Sequence, residues 1–353
     1  MVSDTLVEPP PPTISDPPAP APPAAAPRTR SRGCLVLIAV LCLLAGAAVT
    51  LGWFFLWRYE PHAREHIPDR TNVAVRVEAA DFILFGPVRR HLWPLLEEAR
   101  AEPKAGAPKR GKSRLERIKD ATGVDFSTDA RELLVASVDA QSWLVIVGGR
   151  LRRGRFVKGL LAVLQEDGSP GWSASGELLV GPGGLAVGQA DDGTLLFGTD
   201  AAIVTAALPA TDEWKRLELP ERGAVTMFVA QEAWKGVSSK LAAAPGTEAL
   251  AKVQHATGKM ILGDAPSLDL VLKAEAGETG AVARGLESAL AAARLTTLLA
   301  PDHYGEKAAL NGAKVSVEKD AVRLVAPWPI DGLDRACTDL ALALRAGRAV
   351  TAP

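Results

Sequence analysis

Residues 106–113, GAPKRGKS, match the phosphate-binding pattern G-x-x-x-x-G-K-[ST] letter for letter. A working phosphate loop needs an apolar strand that delivers the chain into a Gly-rich turn. Its backbone N–H groups then wrap the phosphates, and a helix opens at the Lys-Ser pair. Gly106, Gly111, Lys112 and Ser113 would be the binding residues. The helix is supplied by SRLERIKDATG, but the approach is LLEEARAEPKA, a charged helix end containing Pro103. Pro108 stiffens the loop, and Lys109 and Arg110 add solvated charge. LLVASVD, whose Asp139 could serve as a magnesium carboxylate, follows Ser113 too closely for a nucleotide fold. The stretch reads as a loop, and a nucleotide-binding enzyme is kept as the alternative.

The same loop belongs to a basic run: Lys104, Lys109, Arg110, Lys112, Arg114, Arg117 and Lys119. Such a run is either a solvated surface or a contact for anionic lipid headgroups or an acidic partner. His62 and His66 stand four apart in PHAREH and would share a helical face, with Glu60 and Glu65 nearby. Nothing else completes a metal site, so they read as polar stem. Asp302, His303 and Tyr304 hold acid and base groups without a marked nucleophile. Cys337, in ACTDLALAL, reads as a small buried helix residue. GPGGLA (181–186) meets the loose dinucleotide pattern, but strand and turn follow it where a helix is required. The chain has no G-x-S-x-G, H-E-x-x-H or C-x-x-C. No catalytic, cofactor-binding or metal residue is assigned. A hydrolase with a dispersed site is the remaining enzymatic alternative.

The elements that would position these residues come in blocks. Residues 1–33 are dominated by Pro and Ala and read as a disordered, partly polyproline II tail. Cys34 to Trp57 is a run of 24 residues without a charge, long enough for a transmembrane helix. Its length and the 33 residues ahead of it argue against a signal peptide. Arg28, Arg30 and Arg32 precede the run, which places the N-terminus in the cytoplasm and the C-terminal domain outside. The lipid bilayer, through residues 34–57, is then one partner, and an envelope protein or anionic lipid another. A net charge of −1 gives no indication of nucleic acid.

Residues 58–70 read as a short polar stem. TNVAVRVEA (71–79) puts Val73, Val75 and Val77 on one face of a half-buried strand. Short helices broken near Pro87 and Pro94 follow, then the helix LERIKDATG closed by Gly123. ELLVASVD and SWLVIVGG are adjacent strands, and Asp192-Gly193 marks a hairpin. The order then recurs. GAVTMFVAQ repeats the strand alternation with Val225, Met227 and Val229, KVQHATG (252–258) echoes RIKDATG (117–123), and GAVARGLESAL (280–290) echoes GRFVKGLLAVL (154–164). The expected fold is α+β, with duplicated strand-and-helix halves at 71–210 and 222–350.

IPDRTNVAVRVEAADF (67–82) and LERIKDATGVDFSTDARELLVAS (115–137) resemble segments of uncharacterised, membrane-anchored bacterial envelope proteins. That resemblance covers parts of the large domain and implies no activity. The expected function is therefore a membrane-anchored, extracytoplasmic binding or structural module of the cell envelope.

Overall fold

Twelve strands form one antiparallel sheet in the computed structural model, which describes residues 61–95, 112–139, 141–241 and 245–351. The strands are β1 (Val73–Glu78), β2 (Ala130–Ser137), β3 (Trp143–Gly149), β4 (Ser173–Ser175), β5 (Leu178–Val180), β6 (Ala186–Gln189), β7 (Leu195–Gly198), β8 (Val225–Ala230), β9 (Val253–Ile261), β10 (Ser267–Ala274), β11 (Lys314–Glu318) and β12 (Ala321–Pro327). Their spatial order is β11-β12-β10-β9-β8-β1-β2-β3-β7-β6-β5-β4. The two central strands, β1 and β8, pair antiparallel with Val75 opposite Met227. Outward from that pair, one half runs β1-β2-β3-β7-β6 and the other β8-β9-β10-β12-β11. The same strand order is thus traced twice, in opposite directions, across one continuous sheet.

The helices are α1 (Ala79–Leu84), α2 (Gly86–His91), α3 (Arg114–Thr122), α4 (Phe126–Asp129), α5 (Phe156–Glu166), α6 (Ala201–Ala207), α7 (Gln231–Leu241), α8 (Thr279–Leu299), α9 (Glu306–Gly312) and α10 (Ile330–Thr351). Register carries one face through Val145, Val135, Val75, Met227, Gly258 and Leu270. On that face, Phe156 and Leu164 of α5 pack with Val147, Val187 and Leu195. Val282 and Leu286 of α8 pack with Ala256, Leu272 and Val322. Both helices carry a glycine at the contact with a preceding element, and in α5 it permits a close approach. A Cβ on Gly159 would sit 2.4 Å from the Ala121 carbonyl oxygen at the end of α3, and one on Gly285 would meet Leu250 at 3.4 Å. These glycines are the second ones of the two echoing helical segments, and each lies in the helix that follows the third strand of its half.

The opposite face differs between the halves. In the first, Ile203 and Val204 of α6, together with Ala63, Ile67 and Leu217, cover Leu134, Ala136, Leu144 and Ile146. In the second, the strands present Thr257, Lys259, Asp269, Val271 and Arg323 in place of an apolar core.

Four expectations are corrected. Among the described residues no helix is long and apolar enough to cross a membrane, so the single-pass assignment and the localisation drawn from it are withdrawn. The tail at 1–33 and the proposed span at 34–57 lie outside the described residues. The polar stem is packed structure where it is described: Ala63 and His66, at i and i+3 of a 3₁₀ turn, share one buried face, and Ile67, the extended residue that follows, is buried as well. KVQHATG is not the counterpart of RIKDATG, since it forms most of β9 whereas RIKDATG closes α3. The valine faces of β1 and β8 are also not the deepest. Ala74, Thr226 and Phe228 on the other face are buried, and Ala74 and Phe228 belong to the same apolar cluster as Ala63 and Ile67.

Candidate functional site

The α3 end of the first half is built by strong local signals. Ser113 is the N-cap of α3; its hydroxyl accepts from the Glu116 N–H at 3.2 Å, and Glu116 Oε2 accepts from the Ser113 N–H at 2.9 Å. This reciprocal capping box fixes where the helix begins. Gly123, at φ 74°, ends it in the left-handed conformation that costs glycine nothing. Asp125 then caps α4 by accepting from the Ser127 N–H at 3.1 Å. Between these caps, Val124 is driven into the core, and Phe126 stands edge-on to Phe156 with centroids 5.8 Å apart.

The same turn walls a cavity of about 440 Å³, lined by Ile83, Trp93, Leu115, Val124 and Phe126, with Glu116, Lys119, Asp125 and Ser127 at its polar margin. The margin is internally satisfied. Lys119 Nζ donates to Asp125 Oδ2 at 2.9 Å, and Glu116 is held in the capping box. What remains to meet a ligand is mainly aliphatic and aromatic surface. The volume falls in the range of small-molecule sites.

The phosphate-loop candidates resolve differently. Gly106 and Gly111 lie outside the described residues. Ser113 is 2 % exposed with its hydroxyl bonded to its own helix, and Lys112 Nζ donates to Asp120 Oδ2 at 2.6 Å. Asp139 is a turn residue between β2 and β3; two backbone N–H groups, Gln141 and Ser142, and the Ser142 hydroxyl hold its carboxyl below the usual range. Of the basic run, Arg114 and Arg117 both reach Asp167, at 3.1 and 2.6 Å. With Lys112 and Lys119 also paired, the described members form a network with carboxylates of the same unit.

His62 and His66 are not brought together at a site. His62 Nδ1 lies 3.5 Å from Glu65. His66, 2 % exposed, donates from Nδ1 to the Ala207 carbonyl at 2.7 Å and from Nε2 to Asp192 Oδ2 at 3.0 Å. Burial alone would discharge the ring. The Asp192 carboxylate and the Ala207 carbonyl outweigh it and raise the His66 pKa. Burial likewise opposes ionisation of Asp192, yet His66 and the Thr194 N–H and hydroxyl hold its carboxyl far below the usual range. This dyad staples residues 63–66 to α6 and to the Asp192-Gly193 hairpin. Both ring nitrogens are spent on it.

The Asp302–His303–Tyr304 group docks α10. The Tyr304 hydroxyl donates to Asp339 at 3.0 Å, and the His303 carbonyl accepts from Arg335 Nε at 2.6 Å. Cys337 is half-buried, and burial raises its thiol pKa, the opposite of activation. GPGGLA makes the tight connection between β5 and β6, with Gly183 and Gly184 at positive φ. On the open face of the second half, Arg323 grips Asp269 with Nε and Nη2 at 2.8 and 2.7 Å, and Lys259 lies 3.4 Å away. The Arg323 bonds chiefly hold the Asp269 carboxyl below the usual range.

The cavity is not visible in the sequence because its walls come from separated pieces: α1, the helical residues after α2, α3 and the turn before α4. The available signal was the cluster of Trp93, Leu115 and Phe126 around a capped helix. The pairing of Arg76 with buried Glu132 is also hidden in the sequence: Arg76 stands alone among the valines of β1, while Glu132 follows Arg131 at the start of β2.

No family model matches the chain, and no curated protein matches it. Among solved structures, the chain is similar to one described as "Structure of crystal form I of TP0453", with 9% identity over 80% of this chain and 98% of that one, at a TM-score of 0.39. A likeness at that level carries neither a fold assignment nor a function.

Proposed function

We propose that this chain is a non-catalytic binding module whose ligand is an apolar small molecule or alkyl chain held between α1, Trp93, α3 and the turn before α4. The observation that carries the reading is the cavity of about 440 Å³, with an apolar interior and a self-neutralised polar margin. Three groups elsewhere that could do acid–base work are committed to structure: His66 by two acceptors, Tyr304 by Asp339, Ser113 by its helix. The scaffold is a duplicated strand-and-helix unit. The repeated strand order and the placing of α5 and α8 after the third strand of each half support that reading.

The test is to fill the site. Leu115→Trp places a larger ring in the cavity while leaving the capping box intact. An environment-sensitive apolar dye should bind the parent chain and lose at least about tenfold in affinity for the variant, as expected when a buried apolar contact is blocked. Equal binding by both chains would overturn the assignment.

A further inference from the structure

Among the described residues the outer edge of β11 has no strand beside it; its one neighbour is β12, with Ser316 opposite Arg323. An open edge presents backbone N–H and C=O groups that can pair with another chain. The corresponding edge of the first half is occupied. There β6 stands where β11 stands in the second half, and its outer side accepts β5 antiparallel, with Leu178 opposite Gly188 and Val180 opposite Ala186.

We propose that β11 is a homodimerisation edge, pairing antiparallel with β11 of a second copy about a two-fold axis at Ser316. The strand reads Lys314-Val315-Ser316-Val317-Glu318, and it is self-complementary about its centre. Lys314 falls opposite Glu318 of the second copy, Val315 opposite its Val317, and Ser316 opposite its Ser316. Opposed positions always differ by an even number, so outward-pointing backbone groups meet their own kind and side chains stay on matching faces. Val317 has Val322 of β12 on one side, yet it is 58 % exposed and would gain a second apolar cross-strand neighbour on its open side. Edges protected against pairing carry a charge near the centre or turned inward. Here the charges stand at the two ends and have opposite signs, which permits one register and disfavours a slipped one. The arrangement closes on itself. Pairing β11 with the far edge strand β4 would instead extend indefinitely.

The experiment measures energy transfer between full-length chains carrying a donor or an acceptor at the N-terminus. Parent chains should show concentration-dependent transfer. Lys314→Glu opposes two Glu–Glu pairs across the interface, and Glu318→Lys opposes two Lys–Lys pairs, so each variant alone should associate roughly tenfold more weakly. Mixing donor-labelled Lys314→Glu with acceptor-labelled Glu318→Lys recreates both opposite-charge pairs and should restore the parent affinity to within about threefold. Both sites are exposed, and unchanged melting temperatures would verify folding. Absence of transfer in the parent, single variants that associate like the parent, or a mixture that is not rescued would each overturn the proposal.

Discussion

Glu132→Gln tests how the segment before β1 is held. Glu132 is 1 % exposed; its Oε1 accepts from the Ala63 N–H at 3.0 Å and its Oε2 from Arg76 Nε at 2.9 Å. One carboxylate therefore joins β2, β1 and residues 63–66, and both of its oxygens face donors. Glutamine keeps the volume but turns an NH₂ group toward one of those donors and leaves Arg76 less well paired. Removing one partner of a buried pair costs about 3–5 kcal/mol. Arg76 keeps Glu78, which accepts from its Nη2 at 2.6 Å and is partly solvated, so the lower end applies. We expect a loss of about 3 kcal/mol, or about 6 °C in melting temperature for a unit of this size. Urea unfolding followed by circular dichroism measures it. Trypsin cleavage at Arg64 and Arg70 should accelerate in the same variant, because the segment loses its tie to the sheet. Arg76→Met with Glu132→Leu should be less destabilised than Glu132→Leu alone, since the double change leaves no unpaired buried charge. A Glu132→Gln chain within about 1 kcal/mol of the parent, with unchanged cleavage, would refute the reasoning.

Three further outcomes follow from the geometry. The His66 pKa is raised on folding, so its contribution is complete below the ordinary value near 6.5 and is lost as pH rises through the folded value. Stability measured by urea should fall from pH 6 upward, and His66→Gln should flatten that slope; a parent curve that rises over this window contradicts the staple. Gly159→Ala should cost at least about 2 kcal/mol, because its Cβ would collide with the Ala121 carbonyl oxygen at 2.4 Å and force α5 away from α3. A melting temperature equal to the parent's would contradict that packing. Ser113→Ala should cost about 1 kcal/mol through loss of the cap. A stability unchanged from the parent's would show that the capping box does not hold α3.

Much of the scaffold could be read from sequence because its signals are local. Period-two alternation pointed to β1 and β8, the Asp192-Gly193 pair to the β6–β7 hairpin, and Gly123 to the end of α3. The echo between 154–164 and 280–290 falls on two helices, α5 and α8. The echo between RIKDATG and KVQHATG misled because short matches ignore period: the first closes a helix, and the second alternates across a strand. The packed state of residues 61–70 was hidden because Ala63, His66 and Ile67 are buried by partners distant in the chain: Glu132, Asp192 and Ala207. Phosphate-loop spacing reads the same whether or not a strand precedes it, whereas Ser113 and Lys112 are explained by helix capping and an ion pair. The cavity was illegible for the same reason as the buried dyad, since its walls meet only after α1, the residues following α2, α3 and the turn before α4 are placed.

The most direct test of the binding reading is a methyl NMR titration of the full chain with a short alkyl-chain amphiphile. Ile83, Leu115 and Val124 carry the reporting methyl groups around the cavity. The account predicts saturable shifts at these three residues, with Leu272 and Val322 of the second core unmoved. Shifts confined to other surfaces, or none at saturating ligand, would contradict it.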